Sequence, residues 1–369
     1  MAGIYIHIPF CRSRCIYCGF YSTTLLDLRQ SYVDALCREW SLRQDYMDLS
    51  RVRTLYLGGG TPSLLSAAQL EQLFDALSSV VPLCDEITME CNPDDVTADY
   101  AAILSHLPVN RVSMGAQTFS DSRLRFLHRR HTSAQIPVAV GRLRQAGISN
   151  ISIDLMFGFP GETMDDWTAD IKAALALDVE HLSAYSLMYE EGTPLCRMLE
   201  SGKVTEVDEE LSRQMYYELA DRLTSAGFEH YEISNFARPG YRSRHNSNYW
   251  NQTPYLGLGA SAHSFDVRSR GWNVDDVVAY IEAIGQGRLP LEQELLDDDT
   301  RYNELVMTAL RTCEGLNLAL LTERQCRDCL SQARRYLSDG LLIHEKDRLR
   351  LSRSGLYVSD MIMSDLMRV

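Results

Sequence analysis

The chain has 369 residues, 45% of them hydrophobic, and its 50 acidic side chains outnumber 36 basic ones, which gives a formal net charge of −14. The length predicts one large domain and a smaller one. The negative charge argues against a general nucleic-acid binder and offers no attraction to an anionic membrane surface. Because no apolar run reaches the roughly 20 residues that span a bilayer, we expect no integral membrane segment and a cytoplasmic location.

Short β-like runs alternate with helical patterns over most of the chain. The first strand is indicated by Ile4, Ile6 and Ile8, which alternate with Tyr5 and His7. Further apolar, β-rich runs predict strands at 53–58, 86–91, 110–115, 150–157, 181–188 and 228–233. About six βα units precede residue 192, fewer than the eight of a complete TIM barrel. The sequence therefore predicts an α/β fold, a partial (β/α)6 TIM-like barrel with functional residues at the carboxyl ends of its strands.

Two helices are predicted with particular features. Ser66 and Gln69 have the spacing of a capping box ahead of an apolar helical pattern, and apolar residues recur every four positions over 207–223. The character of the chain changes near residues 288–300, where an acidic run at 297–299 precedes a tail that is close to neutral from residue 300 onward. Asp299 or Thr300 is expected to cap the helix that follows. Helices followed by strands at 341–344 and 349–351 resemble a winged helix, for which a packing role is favoured over DNA binding. We therefore expect a core over 1–190, a core extension over 191–290 and a C-terminal winged-helix-like α+β domain over 291–369.

Three cysteines form a cluster directly after the first strand. Cys11, Cys15 and Cys18 have the spacing Cys-x₃-Cys-x₂-Cys, and thiolates so placed can surround one soft metal centre. Iron–sulfur clusters commonly use four cysteines, so three leave one iron open for a ligand. The alternative is a structural zinc site completed by His7. We favour a 4Fe–4S cluster, and interpret the distant pair of cysteines at 326 and 329 as incidental neighbours on a helix.

The cysteine motif, with an aromatic residue before its last cysteine, resembles the signature of the radical S-adenosylmethionine (SAM) superfamily. In that superfamily the open iron binds SAM, and an electron from the cluster cleaves it to methionine and a 5′-deoxyadenosyl radical. The resemblance implies an electron donor such as flavodoxin or ferredoxin. It also implies that SAM is bound by Tyr5, Tyr17, Gly59, Gly60, Thr61, Glu90, Gln117, Arg129 and Asp154. Taken alone, the glycine segment is better interpreted as a simple turn, and its place one βα unit after the cysteines is what favours a binding role. Each polar residue could equally be structural.

Nearly the whole chain resembles the coproporphyrinogen III oxidase-like branch, and within it the HemW family of haem chaperones. Phe20 stands where the oxidases carry a fourth cysteine, and the cysteine loop begins too early for the oxidases' N-terminal extension. Residues 245–250 match the HNxxYW motif of the haem chaperones. The resemblance implies haem as cargo, with His245 as a candidate iron ligand and Tyr249 and Trp250 against the porphyrin. His263 is a weaker candidate, and a structural histidine with two core aromatics is the plain alternative.

The resemblance leaves three functions to be distinguished. The preferred one is a chaperone that transfers haem to acceptor haem proteins, such as respiratory enzymes, with catalytic turnover unspecified. The alternative is an oxygen-independent coproporphyrinogen III oxidase, whose radical converts two propionates to vinyl groups. A third is a radical SAM methyltransferase of haem degradation. All three would retain the cluster and SAM.

Overall fold

Six parallel strands follow one another in chain order and form the centre of the computed structural model, which describes residues 1–368. They are β1 (Ala2–Ile8), β2 (Val52–Gly59), β3 (Glu86–Cys91), β4 (Arg111–Gln117), β5 (Asn150–Phe157) and β6 (His181–Ser186). Each strand pairs in parallel with the next, and β1 and β6 pair with other strands on their outer sides, so the barrel is open. The expected partial (β/α)6 barrel is confirmed.

The sheet continues beyond both ends of this barrel to a total of twelve strands. On one side lie β7 (Glu229–Glu232) and β8 (Asn235–Ala237). On the other lie β9 (Tyr255–Leu258), β10 (His263–Phe265), β11 (Ser269–Asn273) and β12 (Leu291–Leu295). β9 is parallel to β1, whereas β8 is antiparallel to β6. The run predicted at 228–233 is thus an edge strand, separated from the barrel by β8.

Helices cover the outside of the sheet and build the C-terminal domain. They are α1 (Arg29–Leu42), α2 (Ala67–Ala76), α3 (Ala98–Leu104), α4 (Asp121–Phe126), α5 (Gln135–Gln145), α6 (Met164–Ala176), α7 (Pro194–Glu200), α8 (Glu209–Ser225), α9 (Arg244–Trp250), α10 (Val277–Gly285), α11 (Asp298–Ala309), α12 (Glu323–Ser338), α13 (Arg353–Tyr357) and α14 (Ser359–Leu366). The capping box of Ser66 and Gln69 is present at α2. Within residues 1–368, none of the helices combines the length and apolarity needed to cross a bilayer.

The C-terminal domain has its own hydrophobic core and a small antiparallel sheet. This sheet contains β13 (Leu316–Asn317), β14 (Leu342–Glu345) and β15 (Arg348–Leu351), in the order β13-β15-β14. The prediction that Asp299 or Thr300 caps α11 is wrong. Asp297 is the cap, because its backbone is still extended and its side chain accepts a hydrogen bond from the Thr300 amide.

A buried ion pair joins the barrel to the strands added beside β1. Glu39 lies in the last turn of α1 and Arg43 directly follows the helix. Both are buried, with Nη1 of Arg43 3.0 Å from the Glu39 carboxylate. That carboxylate also accepts hydrogen bonds from the Gly259 amide, the Asn273 amide group and the Tyr280 hydroxyl. Three later segments of the chain are thereby fixed to one helix.

We expect Glu39→Leu to lower the free energy of unfolding by about 3–5 kcal/mol, because it leaves the Arg43 guanidinium buried without its counter-charge. The double variant Glu39→Leu/Arg43→Met should be more stable than the single one. Urea unfolding followed by tryptophan fluorescence measures both. Glu282→Ala, at an exposed position of α10, is the control and should change stability by less than about 0.5 kcal/mol. A Glu39 variant as stable as this control would contradict the argument.

Candidate functional site

A cavity of about 430 Å³ opens at the carboxyl ends of the barrel strands. The cysteine loop, which leaves the end of β1, forms one side of its mouth, and residues from β2 to β6 form its wall. The carboxyl edge of a parallel barrel is where such folds place their ligands, because the loops that follow the strands converge there. The sequence-predicted residues can therefore be assessed against one cavity.

The three cysteines line this cavity as free thiols. Sγ of Cys11 lies 3.6 Å from Oγ1 of Thr61, and Sγ of Cys15 lies 3.6 Å from Nη1 of Arg129. Burial raises the pKa of Cys11, and it raises the pKa of Cys18 to about 11. Since thiolates are the metal-binding form, a strong Lewis acid is needed to deprotonate these thiols at neutral pH. Three converging thiols and an arginine beside one sulfur fit a cluster with one open position.

The zinc alternative required His7 as a fourth ligand, and the histidine is engaged elsewhere. Its Nδ1 is 2.9 Å from the Tyr5 hydroxyl and its Nε2 is 3.0 Å from the Tyr21 carbonyl oxygen. Residues 1–368 contain no group of three or more His, Cys, Asp or Glu side chains arranged around a single metal ion. The thiolates of a cubane cluster bind different irons, so that arrangement is required by zinc and not by a cluster.

The glycine segment after β2 is packed against the protein itself. A Cβ on Gly60 would lie 2.7 Å from the Pro9 carbonyl carbon, and one on Gly59, whose φ is +106°, would lie 2.4 Å from the His7 ring. The Gly60 amide donates to the Ile8 carbonyl oxygen. These glycines hold the start of the cysteine loop against β2, and Thr61, directly after them, faces the cavity.

Acidic side chains of β3 and β5 form part of the cavity wall. Glu90 accepts hydrogen bonds from the Tyr56 hydroxyl at 2.7 Å and the Gly59 amide at 3.0 Å. Both oxygens of Asp154 lie 3.4 Å from the Ser113 hydroxyl. Burial raises the pKa of Glu90 to about 7 and also raises the pKa of Asp154. Near neutral pH, Glu90 is therefore a carboxyl group that a bound donor or cation would ionise.

Gln117 and Arg129 complete this wall. Gln117 ends β4 with φ at +66°, a conformation that is uncommon outside glycine and frequent at ligand sites. Nη2 of Arg129 donates to the Asn92 amide oxygen and the Gly115 carbonyl oxygen, each at 2.6 Å. Its Nε is buried without a partner within residues 1–368. The arginine is thus fixed between the wall and Cys15, with capacity for one further acceptor.

The two predicted tyrosines lie in different places. Tyr17 lines the cavity beside the cysteines, whereas Tyr5 is absent from its lining among residues 1–368. The Tyr5 hydroxyl bonds His7, and its ring lies 6.1 Å from that of Tyr56. Tyr56, which bonds Glu90, therefore lies in the cavity wall, where the sequence predicts a contact from Tyr5.

Sequence reasoning missed many of the residues that line the cavity, and five of them belong to the wall described above. They are Tyr56, Asn92, Arg111, Ser113 and Ser183. Strand alternation could have found two of them, because Arg111 and Ser113 precede Gln117 by even numbers of residues on β4 and so share its face. Tyr56 and Ser183 also alternate with apolar neighbours, on β2 and β6, and the same signal could have found them. Asn92 directly follows the last residue of β3, where strand alternation gives no signal.

The predicted haem segment forms α9, which closes the amino-terminal end of the barrel. His245 is 1% exposed. Its Nδ1 is 2.9 Å from Oγ1 of Thr54 and its Nε2 is 2.9 Å from the Tyr249 hydroxyl, while its ring stacks on Tyr56. Trp250 lies under the guanidinium of Arg311. In this arrangement both ring nitrogens of His245 already have partners, and the imidazole is not presented to a ligand.

Three exposed apolar side chains, here called the apolar rim, line the cavity instead. Phe20, Tyr185 and Met188 line the opening and are 71%, 40% and 60% exposed. Large apolar side chains with such exposure, gathered around one opening, are typical of ligand and partner sites. His263, the weaker haem candidate, is exposed at the start of β10 and is not among the lining residues that the structure describes.

Comparison with family models and known proteins gives a consistent result. The model of the radical SAM superfamily matches residues 5–174, and that of the HemN C-terminal domain matches residues 296–358. A heme chaperone HemW of Mycobacterium tuberculosis is 34% identical over 99% of this chain and 94% of its own length. A heme chaperone HemW of Bacillus subtilis is 34% identical over 97% of this chain and 95% of its own length.

Among solved structures, the coproporphyrinogen III oxidase HemN of Escherichia coli covers 99% of this chain and 90% of its own, with a TM-score of 0.83. The sequence identity is 22%, so this likeness concerns the fold alone. It extends through both the barrel and the C-terminal domain.

The cysteine loop generates a direct test. After anaerobic reconstitution with iron and sulfide, we expect Cys15→Ser to lose the visible absorption and the reduced-state electron paramagnetic resonance signal of a 4Fe–4S cluster, because one iron loses its thiolate. Cys313→Ser, at an exposed free cysteine outside the cavity, should retain both. The assignment would be contradicted if the protein bound zinc in place of iron and both variants released that zinc to the same extent.

Proposed function

The chain belongs to the coproporphyrinogen III oxidase-like branch of the radical SAM superfamily, and from this we propose that it is a haem chaperone, which binds haem and transfers it to acceptor haem proteins. Full-length relatives that carry the name heme chaperone HemW support the proposal. The structural observation that carries it is the apolar rim around the cavity mouth. An apolar, flat ligand has a place to bind there, over the cysteine loop.

The rim offers both kinds of contact that haem requires. Phe20, Tyr185 and Met188 can cover the face of a macrocycle, because aromatic and thioether groups pack well on π-systems. Arg12 and Arg14 also line the mouth, are exposed, and have no ion-pair partner within residues 1–368. Two free guanidinium groups suit the two propionates of haem.

Iron ligation can be supplied from the same rim. His128 lines the mouth, is exposed, and has φ at +60°. Histidine nitrogen and methionine sulfur are both established axial ligands of haem iron, so His128 and Met188 are the candidates at this place. The other candidate set is His245 with Tyr249 and Trp250. For His245 to bind iron, α9 would have to leave the barrel floor and break the two hydrogen bonds of the imidazole.

The cluster and SAM, when bound, supply one-electron chemistry, for which a flavodoxin or ferredoxin is the expected donor. The chain's own residues hold them: Cys11, Cys15 and Cys18 the cluster, and Thr61, Glu90, Gln117, Arg129 and Asp154 the SAM. All of these side chains line one cavity. Because the haem-binding rim lies over that cavity, occupancy by SAM and by haem can influence each other.

Haem titration tests the proposal and separates the two haem sites. We expect Phe20→Ser/Met188→Ala to weaken haem binding by at least tenfold, which corresponds to about 1.4 kcal/mol. His245→Ala should leave the haem affinity and the Soret spectrum unchanged if the rim binds haem. Leu295→Ser, at an exposed residue of β12 distant from the cavity, controls for general loss of apolar surface.

If His245→Ala loses haem binding and the rim variant does not, the haem site is assigned to α9. Absence of haem binding in the wild type would overturn the chaperone proposal altogether. The oxidase alternative is tested separately, by offering coproporphyrinogen III with SAM and a reductant to the reconstituted protein. Formation of vinyl products would replace the chaperone proposal with the oxidase.

Glu90 should make SAM binding dependent on pH. Because burial raises its pKa to about 7, the carboxylate that accepts hydrogen bonds from a ligand is largely lost below that pH. We expect the Kd for SAM to fall as the pH rises from roughly 6 to roughly 8, with the ionised fraction of Glu90. Equilibrium dialysis under anaerobic conditions measures this.

Glu90→Gln should bind SAM more weakly and with a flat pH profile. Glu71→Gln, at an exposed position of α2, should keep the wild-type profile. A pH dependence that persists in Glu90→Gln would assign it to another group of the wall.

A further inference from the structure

Arg111 lies inside the barrel near its floor, at the first residue of β4. Its side chain is 1% exposed and is one of the largest fully buried side chains of the protein. It nevertheless lines the cavity that opens at the cysteine loop. The cavity therefore extends down the barrel from the strand ends to the first residue of β4.

The guanidinium of Arg111 has no partner within residues 1–368. No acidic side chain lies at ion-pairing distance, none of its nitrogens donates a hydrogen bond, and its Nε is fully buried without an acceptor. The other buried arginines differ: Arg43 bonds Glu39 and two further acceptors, and Arg129 bonds Asn92 and Gly115. A buried, unpaired charge is costly, so an unpaired arginine that faces a cavity indicates a missing counter-ion.

The acidic groups of the same cavity do not fill that role. Glu90 is bonded to Tyr56 and Gly59, and Asp154 to Ser113. Burial raises the pKa of both carboxyl groups, and the charge of Arg111, which acts on them from beyond ion-pairing distance, lowers it by a smaller amount. The histidines nearby are neutral at pH 7, since burial, with the charge of Arg111 as the second cause, lowers the pKa of His245 and His181. Arg111 is thus the buried positive charge of this cavity that has no direct hydrogen-bond or ion-pair partner within residues 1–368.

The residues around Arg111 favour an oxyanion. Asn246 lines the same cavity and can donate hydrogen bonds. Ser113 and Ser183 line it too, and their hydroxyls, which bond Asp154 in this structure, would have to turn from it to donate to an anion. Gln117, at the other end of β4, is six residues from Arg111, a separation of about 20 Å along an extended strand. The group bound at Arg111 is therefore distinct from the part of SAM that reaches the strand ends and the cluster.

We propose that the barrel floor is a second binding subsite, in which Arg111, assisted by Ser113, Ser183 and Asn246, binds a carboxylate or phosphate group. This inference goes beyond haem transfer and does not depend on it. The same chemistry can come from a free small anion or from the propionate of a ligand that enters through the mouth. α9, which supplies Asn246, closes the floor beneath the anion.

Thermal unfolding of the full-length, anaerobically reconstituted protein tests the subsite, with inorganic phosphate as the probe and chloride at matched ionic strength as reference. We expect the wild-type Tm to rise saturably with phosphate. Arg111→Met should have a higher Tm than the wild type without phosphate, because it removes an unpaired charge, and should show no saturable rise. Arg125→Met, at an exposed arginine of α4, should behave as the wild type.

Arg111→Lys keeps the charge and covers the case in which the methionine variant does not fold; its Tm should rise with phosphate at higher concentrations. Haem that abolishes the phosphate response of the wild type would identify a propionate as the natural group, and haem without effect would identify a free anion. Any one of three results for Arg111→Met overturns the proposal. These are a retained saturable response to phosphate, a lower stability than that of the wild type without phosphate, and a loss of SAM binding alone.

Discussion

The first two strands approach each other at their carboxyl ends so closely that no side chain fits between them. Gly59 and Gly60 meet the His7 ring and the Pro9 backbone at distances that a Cβ could not tolerate. This contact sets where the cysteine loop leaves β1 and holds Thr61 beside Cys11. The position of the three thiols over the barrel, and of the rim formed by Phe20, depends on it. The glycines thus serve the site by shaping the protein around it.

Much of the fold could be predicted because its signals are local. Period-two and period-four apolar patterns identified the six barrel strands and the helices between them, and the capping box at Ser66 was read directly. The cysteine spacing identified one side of the cavity, and residues at strand ends identified most of its wall. These features depend on neighbouring residues or on the direction of parallel strands, both of which are present in the sequence.

The failures concern contacts between distant segments. Nothing local shows that Glu90 bonds Tyr56, 34 positions earlier, or that α9 folds back so that His245 bonds Thr54, 191 positions earlier. The cap of α11 was misplaced because three consecutive aspartates present the same local signal, and only the backbone conformation selects Asp297. A sequence motif shows which residues occur together. Their burial and hydrogen bonds in the fold determine which of their atoms can still bind a ligand.

The place of β1 in the sheet has a consequence for synthesis on the ribosome. Its inner neighbour is β2, but its outer neighbour is β9, which begins at Tyr255. At about 5–20 residues per second, that partner emerges roughly 10–50 s after β1. During this interval the strand preceding the cysteines has one unpaired, strongly apolar edge, open to wrong pairing. Insertion of an oxygen-sensitive cluster would therefore meet a stable β1 only after about two-thirds of the chain has been translated, so cofactor loading is expected to follow translation of the barrel instead of accompanying it.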